Sequence, residues 1–356
     1  MFLKKFSWKK IPWKKVFNAL IFIFSACLII YFCISPDGLI ALLKSSTKLN
    51  PVWLLPALGC HFANLAIDAW LMYKFICNSS GKIKFGRAFR VAMTGQFFNS
   101  VTPGGSGGQP MQILLMRQYG ISVGEGLSAL TQKFVVWQFT TVGYCLVLFL
   151  IKFDFISNLS TWLKTAGAIG FAMQAWLLFL LLMVSFADKL VLKIVSAVLR
   201  FLSKIKLIKN PDQIIEKTER QLALFHDSNK KITGDKKFLV QIYSVSIVHV
   251  TVNYLVTYFI YKTFGLNGTG VVDIICAQAF VSIISMLVPS PGGSGAAELC
   301  FAGFFGGLFS KETLQSAIIF WRTISYYLTI AVSAPFAGFA KDKTKNLEDI
   351  DENVES

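Results

Sequence analysis

The sequence predicts an all-α integral membrane protein, with about six spanning helices and two re-entrant helical hairpins that oppose one another as an inverted repeat. Three observations carry this. Of 356 residues, 54% are hydrophobic and 15% charged, with 33 phenylalanines. A soluble domain carries roughly 25% charged residues and has no way to hide so much apolar surface. The uncharged runs are long enough to cross a bilayer. Finally, the pentapeptide Pro-Gly-Gly-Ser-Gly occurs twice, each time inside a broken apolar segment.

The formal net charge is +16. Its basic residues sit between apolar runs, the pattern of membrane topology rather than the basic face of a nucleic-acid binder. No direct nucleic-acid partner is expected. The seven cysteines lie in or at the ends of apolar segments, and none forms a CxxC pair. They read as small buried hydrophobes rather than disulfides or zinc ligands, and no metal or cofactor is expected.

In chain order, residues 1–15 are basic and aromatic, suited to anionic headgroups. Residues 16–34 hold 19 uncharged residues and read as a retained first span. A second span at 51–73 carries His61 and Asp68, and 74–90 is basic. The uncharged stretch 91–116 is interrupted by TPGGSGGQP, which predicts a hairpin over about 91–123. Spans follow at 134–151, starting a few residues earlier, and at 165–187. Residues 188–237 contain twelve Lys/Arg and six Asp/Glu, and their opening has the spacing of an amphipathic surface helix. A further span at 238–261 contains His249.

Residues 274–310 form a 37-residue segment whose single charge is Glu298. As one helix it would measure about 55 Å against a hydrocarbon core of about 30 Å. PSPGGSG near its middle predicts a second hairpin over about 270–310. The last span, 313–340, contains Arg322. Residues 1–340 then make one polytopic domain, and 341–356 a polar tail. The basic segments place both termini, 74–90 and 188–237 in the cytoplasm. The first hairpin therefore starts and ends inside, and the second outside.

The two pentapeptides, at 103–107 and 291–295, share their context. Each precedes a short apolar stretch, a serine (Ser122, Ser310), an LSA or LQSA step and a long span. Backbone that leaves helical geometry in a membrane must be buried in protein or face a wet cavity. The half-helix after such a turn offers amide ends that suit an anion near the bilayer middle. Pro103, Gly104, Gly105, Ser106, Gly107 and Gln109, with Pro291, Gly292, Gly293, Ser294 and Gly295, are therefore candidate substrate contacts. The other reading of either copy is a plain tight turn.

Glu298 follows the second turn by three residues, and Pro110 holds the aligned place in the first copy. An ionisable residue at membrane depth costs about 3 kcal/mol or more and marks function by default. The alternative is a simple helix-end charge. Arg322 suits a carboxylate or a lipid phosphate, or snorkels to the interface. Lys133 stands near the corresponding place in the first repeat, as a phosphate contact or a helix-end lysine. Asp68 and His61 share a helix face; they relay protons, meet a cationic headgroup, or form a buried hydrogen-bonded pair. His249 reads as a satisfied core histidine. Asn99, Gln96, Gln109 and Gln112 flank the first turn as candidate cavity-lining donors. There is no HExxH, no GxSxG and no Walker lysine, so no catalytic residue and no ATP site are assigned.

TPGGSGGQPMQILLMRQYGIS, PSPGGSGAAELCF and FWRTISYYL resemble signature segments of the lysylphosphatidylglycerol synthase transmembrane-region family, known best from bacterial multiple peptide resistance factors. The resemblance runs from about residue 10 to 340. It implies a flippase of the bacterial inner membrane that moves aminoacylated phosphatidylglycerol to the outer leaflet and protects against cationic antimicrobial peptides. On this reading the turns cradle the headgroup phosphate. Arg322 and Lys133 offset its charge, and Glu298 and Asp68 meet an ammonium. Bifunctional members add a soluble domain that loads lysine from lysyl-tRNA onto phosphatidylglycerol. No segment here is expected to fold as that domain, so the transfer reaction is expected only with a separate aminoacyltransferase partner. Gln132-Lys133 also departs from the acidic-Arg pair that members often carry nearby. A flippase for a lipid-linked carrier and a non-transporting scaffold are the other readings; the lipid and a homo-oligomeric state stay open.

Overall fold

The computed structural model describes residues 49–81, 83–157, 159–186 and 234–338, with positions 193, 216 and 219. The expected span at 16–34, the basic segment 1–15, nearly all of 188–237 and the tail 341–356 lie outside the described residues.

Among the described residues every element is helical. In chain order these are α1 (Leu54–Ser80), α2 (Phe85–Val101), α3 (Gly108–Gln118), α4 (Val123–Ile151), α5 (Phe153–Ser157), α6 (Thr161–Phe186), α7 (Lys236–Thr263), α8 (Val271–Ser285), α9 (Ala296–Phe305), α10 (Lys311–Arg322) and α11 (Leu328–Ser333). A π-helical turn, Thr323–Tyr327, joins α10 to α11. Five stretches are long and apolar enough to cross a membrane: Pro51–Ser80, Val123–Ile151, Thr161–Leu180, Lys236–Thr263 and Thr313–Phe336. Large apolar side chains such as Leu55, Leu150, Trp176 and Leu299 point outward, each more than 60% exposed. Helices that are apolar on buried and open faces alike belong in lipid. The chain is an all-α, multi-pass membrane protein.

Some boundaries differ from the sequence expectation. α1 runs on to Ser80, past the expected end at 73, and it absorbs Lys74, whose ammonium lies over the Trp70 ring at 5.1 Å. The basic stretch 74–90 is therefore mostly helical. α4 begins at Val123 rather than near 134, because Ser122 caps it. The Ser122 hydroxyl accepts the Glu125 N–H, and the Glu125 carboxylate accepts the Ser122 N–H at 3.0 Å. This reciprocal cap satisfies two otherwise orphaned donors. Lys133 thus stands inside a helix, not at its end.

Both pentapeptides break a helix in the same way. Gly104 and Gly105 have φ of 61° and 67°, and Gly292 and Gly293 have φ of 59° and 64°. These left-handed values reverse the chain at little cost only in glycine. α2 folds back on α3 around the first turn, and α8 on α9 around the second. The two turns then pack on each other.

The buried apolar residues fall into two large clusters. One draws mainly on α1, α2, α3 and α4, around Leu65, Met72, Phe75, Met93 and Met116. The other draws mainly on α7, α8, α9 and α10, around Ile260, Ile283, Phe301, Phe305 and Trp321. α7 packs along α1 and also touches α4, α8 and α10. A small third cluster, Phe97, Ile330, Ala334 and Ala337, ties α2 to the end of the last span.

Candidate functional site

The site is the place where the two glycine turns meet. Gly104 faces Pro289 across the contact: a methyl built on Gly104 would lie 3.9 Å from Pro289 Cα. Pro103, Gly104, Ser106, Gln109, Pro291, Ser294 and Gly295 keep open surface there. The two serines play the same part. Ser106 Oγ donates to the Pro103 carbonyl at 3.0 Å and Ser294 Oγ to the Pro291 carbonyl at 2.8 Å.

Arg322, at the end of α10, reaches into this junction and is only 7% exposed. Its Nε donates to Glu298 Oε1 at 2.6 Å, and its Nη1 donates to the Gly292 carbonyl at 2.9 Å. Glu298 Oε2 in turn accepts the Gly295 N–H at 2.6 Å. One guanidinium therefore holds both the second turn and the carboxylate beside it. The guanidinium also lies over the rings of Trp321 and Tyr326, at 5.0 and 5.5 Å. Its Nη2 is buried and has no hydrogen-bond partner among the described residues. Burial on this scale removes the snorkelling alternative.

The sequence gives no sign of the next contact. Tyr326 Oη donates to the Ser100 carbonyl at 3.0 Å, linking the last span to the first hairpin. Arg322 and Tyr326 are four positions apart and so share a face of the last span, with the π turn Thr323–Tyr327 between them; such bulges are frequent at functional sites. Removing the hydroxyl with Tyr326→Phe should lower stability by about 1 kcal/mol, a thermal melt in detergent being the measurement. The aromatic ring would stay in place under Gly292.

The amide ends that the sequence offers to an anion are largely taken. Gly107 N–H donates to Thr102 Oγ1 at 2.9 Å and Gly108 N–H to Asn99 Oδ1 at 3.1 Å. Gly105, Ser106, Gly293 and Ser294 donate to backbone carbonyls of their own turns. This corrects the picture of half-helices with bare N-termini: short polar side chains just before the first turn, and Glu298 just after the second, fill the role. Asn99 is thereby a turn anchor. Gln112 is buried and donates to the Val91 carbonyl at 3.1 Å, tying α3 to α2.

The remaining candidates gather elsewhere. Lys133 Nζ lies 2.6 Å from Asp68 Oδ1, so α4 and α1 share an ion pair. The Gln96 amide of α2 stands beside the same carboxylate. His61 is not the partner of Asp68; two turns along the helix leave them too far apart, and the His61 ring packs on Phe62 at 5.8 Å. His249 on α7 is buried, yet its Nε2 has no partner among the described residues, unlike the satisfied core histidine expected. Among the described residues no group of three or more His, Cys, Asp or Glu is placed to hold a metal.

A family model described as the lysylphosphatidylglycerol synthase TM region matches residues 17–333. The chain is also similar to a UPF0104 membrane protein of Archaeoglobus fulgidus. That protein is 24% identical over 294 residues, which cover 79% of this chain and 86% of the relative.

Proposed function

The chain belongs to the lysylphosphatidylglycerol synthase transmembrane-region family, and from that premise we propose that it carries a phospholipid with an anionic or aminoacylated headgroup, lysylphosphatidylglycerol being the type, across the cell membrane to the outer leaflet. The two hairpins enter from opposite faces as an inverted repeat. Their short legs, α3 and α9, have 11 and 10 residues. At about 1.5 Å per residue each reaches roughly half of a core about 30 Å thick. Turns that touch one another are then at the bilayer middle, where transporters of this build hold their cargo.

One observation carries the reading: a buried arginine with an unused N–H stands where two broken helices meet. A guanidinium already fixed by Glu298 and Gly292 keeps Nη2 uncommitted, so a phosphate that enters as the two turns part meets a donor already ordered. The open residues Ser106, Gln109, Ser294 and Gly295 surround the headgroup. Glu298, whose side chain is 35% exposed, meets an ammonium on its free side. Asp68 and Lys133 pair with each other and stand outside these contacts. The basic segments keep both termini in the cytoplasm.

The test is purified protein in liposomes with labelled phosphatidylglycerol or lysylphosphatidylglycerol, read by chemical quenching of label in the outer leaflet. Labelled lipid should cross well above protein-free liposomes. Crossing at the protein-free rate for both lipids would end the proposal. So would formation of lysylphosphatidylglycerol from lysyl-tRNA by this chain alone with no lipid movement.

A further inference from the structure

The junction of the turns leaves three ionisable side chains deep in the helices without a task. The Asp68–Lys133 pair has side chains only 7% and 18% exposed. Asp68 Oδ2 is buried with no partner among the described residues. His249, 9% exposed, stands on α7, which packs along α1 and touches α4, close enough for the charges of Asp68 and Lys133 to act on it, and its Nε2 likewise has no partner among the described residues. A cavity of about 60 Å³ opens beside it, lined by Asn64, Trp137, Thr141, His249, Asn253 and Ser282 among others. Thr141 is 3% exposed and its hydroxyl is also without a partner in the protein. Such a space admits water, which needs about 10–15 Å³.

We propose that Asp68, Lys133 and His249 form a proton-binding site, entered through the cavity that His249 lines, and that its occupancy couples lipid movement at the turns to a proton gradient. The coupling rests on the function proposed above; the site does not. A proton from hydronium forms one bond, Nε2–H on His249, and releases water. Asp68 supports the resulting imidazolium and Lys133 opposes it, so the proton belongs to the cluster rather than to one residue. Imidazole is the side chain suited to exchange near neutral pH, and ionisable groups inside spanning segments mark proton relays. Around His249, α1 contributes Asp68 and, two turns further, His61. α4 contributes Lys133, and α8 presents the neutral Ser282, Ile283 and Met286. Arg322 of α10 is committed to Glu298, and Tyr254 on α7 forms part of the same wall. The link to the turns is Gln96. It stands on the leg leading to Gly104 and beside Asp68, so a change of charge in the cluster acts on that hairpin directly.

The site is tested on the protein alone, labelled with ¹⁵N-histidine in lipid nanodiscs. The chain has three histidines, and His249→Gln assigns the signal. Between about pH 5 and pH 8 the His249 signal should pass from the cationic to the neutral imidazole form. Its midpoint should move by about one unit or more in Asp68→Asn. No titration in the unmodified protein overturns the site, whether or not the variant folds; a midpoint indifferent to Asp68→Asn does the same. Coupling is tested in liposomes with a pH gradient imposed or collapsed by a protonophore. The lipid rate should change about fivefold or more in the unmodified protein, and not in His249→Gln. Lipid movement indifferent to the gradient overturns coupling and leaves the proposed function standing. A response to a sodium gradient instead overturns the proton assignment. Absence of any lipid movement overturns function and coupling together, while the titration still decides the site.

Discussion

Arg322→Ala is expected to slow lipid movement about a hundredfold. The substitution removes two hydrogen bonds from a charged donor, to Glu298 and to Gly292, together with the N–H offered to phosphate. Two such bonds at about 1.5 kcal/mol each correspond to roughly that factor. Stability should fall as well, because Glu298 is left without its cation. The loss should be about 2 kcal/mol, below the about 3–5 kcal/mol for a fully buried pair, since part of Glu298 is open. Arg322→Lys keeps the charge but not the planar fork and should slow movement about tenfold. Liposome rates and melting midpoints in detergent separate the two effects. An Arg322→Ala protein that moves lipid at the normal rate removes the arginine from the mechanism.

Gly292→Ala should damage the second turn strongly, with Gly104→Ala its matched control. Both residues have left-handed backbone, φ of 59° and 61°, which costs an alanine about 1–2 kcal/mol. They differ in what a methyl would meet. At Gly292 it would overlap the Tyr326 ring at Cε2, Cδ2 and Cζ, whereas at Gly104 its neighbours are Pro289 atoms at 3.9 Å. Gly292→Ala must therefore displace Tyr326 and lose its bond to the Ser100 carbonyl, for a total of about 3 kcal/mol. Gly104→Ala should lose only the backbone part. A Gly292→Ala, Tyr326→Ala double variant, with room for the methyl, should recover part of the loss relative to the sum of the single changes. Equal melting midpoints for the two single variants would refute the asymmetry.

The turns, the helices around them and the ionisable residues were open to reading because they stand out against an apolar background. Five of the expected spans have helices at their places, since an uncharged run of that length leaves a membrane chain few options. The candidate residues can be picked from the sequence, but their wiring cannot. Asp68 and Lys133 are 65 positions apart, and their pairing depends on the rotation of α1 against α4, which no local spacing gives. The π turn at Thr323–Tyr327 has no composition signal, and neither does the Tyr326 bond to the Ser100 carbonyl, which depends on how the last span packs against α2. The capping of the first turn was within reach: Thr102 and Asn99 are residue types that accept turn amides, and their place just before the glycines is the clue.

The last span grips both hairpins. Arg322 clasps Gly292, and Tyr326 holds the Ser100 carbonyl. Farther along, Arg90 Nη2 donates to the Gly338 carbonyl at 2.7 Å and Thr94 Oγ1 to the Phe336 carbonyl at 3.0 Å. The two grips are built differently: on the second turn an ion-paired guanidinium of the last span holds a carbonyl, and on the first hairpin a tyrosine hydroxyl of the last span is joined by Arg90 and Thr94 reaching from the hairpin to its end. On the proposed function, two hairpins with unlike anchors would not share their free energy evenly, so the resting population would lean toward one orientation and a load would have to supply the difference to tip it back.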